Sequence, residues 1–89
     1  MEYYSCIKIN IFVYIWNMVQ VLRARLANNI KFFREKHNYK REELSLMLGV
    51  DNSYISKLEK CKVNITIDKL EQLANIFNIE PIELIKKTK

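Results

Sequence analysis

Residues 41–59 read Arg41-Glu-Glu-Leu-Ser-Leu-Met-Leu48, then Gly49, then Val50-Asp-Asn-Ser-Tyr-Ile-Ser-Lys-Leu-Glu59. Gly49 is the only glycine in a chain of 89 residues, and it stands between two short amphipathic segments. Apolar residues at Leu44, Leu48, Val50, Ile55 and Leu58 are spaced to close two helices over one core. Small Ser45 lets their backbones approach. Glycine reaches the left-handed turn region without steric cost, so a sharp angle between the two helices is predicted at this point. Asp51 supplies a carboxylate that can accept the backbone N–H of Ser53 or Tyr54 and so start the second helix.

Two short helices meeting at such an angle satisfy the constraints of a helix-turn-helix, whose second helix enters the DNA major groove. Working outward, Leu22, Leu26, Ile30 and Phe33 step by four, four and three, which predicts a first helix over about Met18 to His37. Asn38 suits a left-handed stop. The second helix is Arg41 to Leu48, and the third starts after Asp51, its N-cap, and ends near Lys60. Thr66 caps a fourth helix with Leu70, Leu73, Ala74 and Phe77 on its inner face. Pro81 is tolerated at the first position of a fifth helix, where its missing N–H is not needed, and Ile82, Leu84 and Ile85 follow. The expectation is an all-α, five-helix domain over residues 18–89.

Residues 1–17 form an N-terminal extension with a different pattern. Ile7, Ile9, Ile11, Val13 and Ile15 alternate with Lys8, Asn10, Phe12, Tyr14 and Trp16, and period two with β-branching favours a strand. Such a strand would pair with a second copy; the alternative is a helical extension folded on the domain. A third reading makes Met18 the start of the chain and the extension incidental. No basic leader with a small-residue cleavage site is present. Lys8, Asn10, Asn17 and Gln20 interrupt the apolar run below the ~20 residues of a membrane span, so no membrane role is expected.

The formal charge is +5 at pH 7. Residues 23–62 hold ten Lys and Arg against five acids, whereas the segments on either side are balanced. The entire excess therefore coincides with the helix-turn-helix and the helix before it, as phosphate contact requires. Cys6 and Cys61 are far apart with no C-x-x-C pair, and His37 is the single histidine. Neither a metal site nor another cofactor is expected, and the cysteines read as reduced thiols of a cytoplasmic protein. No nucleophile–base–acid set, paired carboxylates or phosphate loop supports an enzyme.

Residues 22–86 resemble the Cro and phage-repressor helix-turn-helix family, the XRE type. The resemblance rests on Ile30 and Arg34, Glu43-Leu44 through Gly49-Val50, and Tyr54-Ile55-Ser56-Lys57-Leu58-Glu59. It continues through Asn64, Thr66-Ile67, Leu70, Leu73-Ala74, Phe77 and Ile79. Three positions depart from the family pattern: Cys61 replaces a usual glycine, Ile65 a frequent proline, and Arg41 a common glutamine. The strings Ser53-Tyr54-Ile55-Ser56 and Asn64-Ile65-Thr66 are similar in particular to controller proteins of restriction–modification systems, although Val63 stands where those often carry arginine. The resemblance implies a lambda-repressor-like fold and a homodimeric transcription regulator binding double-stranded DNA with two half-sites. It also leaves open an antitoxin or protein-interaction module on the same fold.

The third helix is then the recognition helix. With Ile55 and Leu58 turned inward, Asn52, Ser53, Ser56 and Lys57 form its base-reading set. Asparagine pairs with an adenine edge, lysine with guanine acceptors, and serine with several partners. Lys40, Arg41, Tyr54, Lys60 and Lys62 are the expected phosphate and sugar contacts. From the family resemblance, Arg34 and Glu59 form a partly buried ion pair joining the first helix to the third. The two-fold interface is implied at Ile79, Pro81, Ile82 and Ile85.

Overall fold

Helix α1 spans Ile11–Lys36, α2 Arg41–Leu48, α3 Tyr54–Glu59, α4 Ile67–Phe77 and α5 Ile82–Ile85. The computed structural model describes residues 11–87, with side chains from residue 21 onward. All regular structure among the described residues is helical, as the five-helix reading requires.

The strand expected over residues 7–15 is corrected where it can be compared. Residues 11–15 belong to α1, and residues 7–10 lie outside the described residues. Helix α1 has 26 residues and runs without interruption through Met18, seven positions earlier than its apolar stripe suggested. Period two is also what a densely apolar helix shows by accident, because nearly every position from 11 to 16 is apolar or aromatic. A helix satisfies its own backbone, whereas a lone strand leaves a row of unpaired groups.

The helices share one way of stopping. Asn38, Gly49, Cys61 and Asn78 all have left-handed backbones, with φ between 58° and 76°. After each helix from α1 to α4, two backbone N–H groups fold back onto carbonyls of its last turn. At Gly49 these bonds are Gly49 N to Leu46 O, 3.0 Å, and Val50 N to Ser45 O, 3.1 Å. This paired return satisfies carbonyls that the helix leaves without partners. Three of the four positions lack glycine, and Asn tolerates the geometry better than Cys does. Cys61 is disulfide-bonded rather than a free thiol, which corrects the reduced-cysteine expectation.

The core joins Leu26 and Ile30 of α1, Leu44 and Leu48 of α2, Ile55 and Leu58 of α3, Leu73, Ala74 and Phe77 of α4, and Leu84 of α5. The inner face of α1 is rotated from the expected stripe. Leu22 is more than half exposed, while Ala24 and Ala27 are buried. Alanines at these positions let neighbouring helices come close, and a leucine would hold them apart. Asn29, also buried, donates from Nδ2 to the carbonyls of Leu84 and Lys86, both at 2.9 Å. It thereby caps the end of α5, a helix of only four residues.

Candidate nucleic-acid interface

The corner between α2 and α3 is locked by one buried hydroxyl. Ser45 Oγ donates to Arg41 O at 2.9 Å within α2 and accepts from Ile55 N of α3 at 3.2 Å. Ser45 and Ile55 are both fully buried. The small side chain thus does more than permit close approach: it satisfies a first-turn N–H of the next helix. Lys69 adds a second tie, its Nζ lying 3.3 Å from Leu48 O at the end of α2.

The start of α3 is built from the turn before it. Asp51 Oδ2 accepts from Ser53 N at 3.2 Å and also from the Ser53 hydroxyl, while Tyr54 N donates to Asp51 O at 3.0 Å. The hydroxyl contact of Ser53, together with its backbone N–H, holds the Asp51 carboxyl below its ordinary pKa. Ser53, rather than Asp51, occupies the capping position. Asn52 and Ser53 therefore lie in the turn that leads into α3, not on the helix itself. Within α3, Ile55 and Leu58 are buried, Lys57 is exposed and Ser56 is half-buried. The periodicity separates a core edge from a polar edge as the sequence indicated. Tyr54 is half-buried against the core, and burial raises its phenol pKa.

Exposed cations follow this short helix and open α2. Lys60 and Lys62 are exposed just beyond it, and Lys40 and Arg41 are exposed at the start of α2. At that start Lys40 N donates to Glu43 Oε1 at 3.0 Å, one half of a capping box.

Arg34 and Glu59 are joined, Nε to Oε2 at 2.7 Å, with side chains only 9% and 6% exposed. Arg34 Nη1 also donates to Tyr39 O at 3.1 Å, tying the α1–α2 turn to the same pair. A third member was not foreseen: Arg41 Nε meets Glu59 Oε1 at 2.9 Å. Arg41 is thus no free surface cation, although its side chain is 45% exposed. Spacing along one helix carries no trace of this contact, since eighteen residues separate the partners.

The α4–α5 corner holds the residues implied for a two-fold interface. Ile82 is 57% exposed, whereas Ile79 and Ile85 are half-buried against the core and Pro81 is half-buried. Beside them Asn75, Asn78, Ile79, Glu80 and Glu83 line a shallow surface depression. Among the described residues, no cluster of His, Cys, Asp or Glu is arranged to hold a metal ion. No helix among them is long and apolar enough to cross a membrane.

Two short helices joined at a left-handed glycine and packed over one core, with a buried serine hydroxyl tying one to the other, define an XRE-type helix-turn-helix domain. The chain belongs to the helix-turn-helix family, which it matches over residues 30–84. It is 33% identical over 66 residues to a hypothetical transcription factor of Neisseria meningitidis, covering 74% of this chain and 62% of the relative. It is 27% identical to the control protein C.SmaI of Serratia marcescens, covering 74% of this chain and 79% of that protein. Among solved structures, the Neisseria hypothetical transcription factor NHTF superposes with a TM-score of 0.70 at 32% identity, over 73% of this chain and 75% of that one. The restriction–modification controller protein C.AhdI from Aeromonas hydrophila shares the fold with a TM-score of 0.65 at 24% identity, over 74% of this chain and 97% of that one.

Proposed function

We propose that this protein is a sequence-specific DNA-binding transcription regulator that acts as a homodimer on an operator of two half-sites and controls a restriction–modification system. The observation that carries the reading is the outward polar edge of α3, with Ser56 and Lys57 on the helix and Asn52 and Ser53 in its leading turn. The exposed cations Lys60 and Lys62 follow α3 in the chain, and Lys40 and Arg41, also exposed, open α2. Phosphate contacts from these set orientation and affinity, and Asn52, Ser53, Ser56 and Lys57 read base edges. Tyr54 adds a sugar or phosphate contact from its half-buried position. The relationship to a control protein supports the restriction–modification assignment.

One such domain reads few base pairs, so useful specificity requires two copies with half-sites ~34 Å apart or a multiple of that. The exposed Ile82 at the α4–α5 corner supports an interface there, formed with Ile79, Pro81 and Ile85. A role on DNA implies the cytoplasm.

The test is selection of bound sequences from a random duplex library, followed by titrations at several salt concentrations. Asn52→Ala or Lys57→Ala is expected to cost ~1–3 kcal/mol on the selected site and to relax preference at particular base pairs. Lys60→Ala is expected to weaken all sequences alike and to lower the salt slope by about 0.9 per lost phosphate contact. Equal losses on selected and random DNA for all three variants would remove the base-reading assignment. No enriched sequence at all would favour a protein-interaction role for the fold.

A further inference from the structure

We infer that Glu59 is a positioning residue for DNA binding: it holds Arg41 by Nε so that the two Nη groups of the guanidinium are presented to one backbone phosphate. The inference rests on the DNA-binding reading above and deepens it. The carboxylate is fixed from both sides. Its Oε2 is taken by Arg34 at 2.7 Å, and Arg34 is itself anchored on Tyr39 O at 3.1 Å. Its Oε1 accepts from Arg41 Nε at 2.9 Å. Glu59 is 6% exposed, so its position is set by the core, while the half-exposed Arg41 extends from that anchor to the surface.

Arg34 is shared between Glu59 and Glu35, whose Oε2 lies 3.8 Å from Arg34 Nη2, so it is Arg41 that carries the half-exposed charge of the cluster outward. A guanidinium held at Nε keeps its Nη pair for a second acceptor, and its planar fork matches the paired oxygens of a phosphate. Holding the fork in place before contact spares the rotamer entropy that a free arginine loses on binding. A lysine at this position would keep the charge, but it could not satisfy Glu59 and a phosphate through one rigid plane.

Arg41→Ala and Arg41→Lys, each alone and combined with Glu59→Gln, test the inference by duplex binding on selected and random DNA over a salt series, with thermal melting of each variant alongside. Arg41→Ala is expected to weaken both DNAs by roughly tenfold, the lower range for a hydrogen bond to a charged group. Its salt slope should fall by about 0.9, and melting should change little because the Arg41 pair is half-exposed. Arg41→Lys should keep the wild-type slope yet bind about threefold or more weakly, since charge survives and the fork does not. With Glu59→Gln already present, the Arg-to-Lys difference in binding should shrink below about twofold, because the anchor that orients the fork is gone.

Wild-type binding by Arg41→Lys overturns the inference, and so does an Arg-to-Lys difference undiminished beside Glu59→Gln. A melting loss in Arg41→Ala with unchanged affinity and slope would make Arg41 purely structural and also overturn it. Glu59→Gln protein that fails to fold leaves the Arg41→Lys comparison to decide. Failure here with Lys57→Ala behaving as expected removes only this inference. Absence of DNA binding by the wild type removes the parent reading and this one with it.

Discussion

Ser45→Ala tests whether the helix corner is locked by a hydrogen bond or merely by the smallness of its side chain. Both explanations fit the sequence, and they diverge when the hydroxyl alone is removed. In the structure Ser45 Oγ is the acceptor for Ile55 N, a donor in the first turn of α3 with no exposure to water. Losing that acceptor strands a buried N–H, which costs about 1–3 kcal/mol. The bond to Arg41 O is also lost, but that carbonyl remains on the helical ladder and suffers less. Alanine returns about 0.5 kcal/mol through its better helix propensity. The expected net loss is therefore about 1–2 kcal/mol. For a domain of this size that lowers the melting temperature by about 5–15 °C, measured at one protein concentration because dimerisation would shift the midpoint. Urea unfolding should show a lower midpoint with an unchanged slope. Hydrogen exchange at the Ile55 amide should accelerate more than at amides of α4. A variant within about 0.3 kcal/mol of wild type, with Ile55 still protected, would refute the locking role and leave only close packing.

Gly49→Ala should cost about 1 kcal/mol through its left-handed backbone alone, because a Cβ there meets no atom within 4 Å; Gly49→Asn should recover part of it in the same melting assay. Asp51 has a lowered pKa in the folded chain, so its contribution is present above the ordinary carboxylate pKa and is lost as pH falls through the lowered value. Urea midpoints of wild type and Asp51→Asn should therefore differ at neutral pH and converge under strong acid; parallel curves would separate the Ser53 contacts from stability. Ile82→Asp should give a folded monomer by sedimentation, and a dimer of unchanged affinity would move the interface away from the α4–α5 corner.

Local rules made much of the architecture legible. Gly49 and Asn38 were visible as a left-handed turn and stop, because few residue types adopt that backbone, whereas the left-handed Cys61 and Asn78 were found only in the structure. Thr66 was visible as a cap, and its hydroxyl does accept Lys69 N at 3.2 Å. The inner positions of α2, α3 and α4 followed from spacing, since an amphipathic helix of fixed pitch has one face to bury. The extent of α1 was not legible in the same way. Its first residues are apolar on every side, and alternation and helical spacing both describe such a run.

What the residues determined alone was the order of helices, the left-handed positions at Asn38 and Gly49, the polar edge of α3 and the place of the charge excess. Each of these depends on neighbours within a few positions, where backbone geometry leaves few choices. Tertiary structure decided which groups meet across the chain. It rotated α1 so that Ala24 and Ala27 went inward and Leu22 outward. It brought Asn29 to the end of α5 and set the hydroxyl of Ser45 beneath the first turn of α3. It also gave Glu59 a second arginine. None of these pairings has a signature in spacing, because a buried polar group takes whatever partner the packed helices bring within about 3 Å.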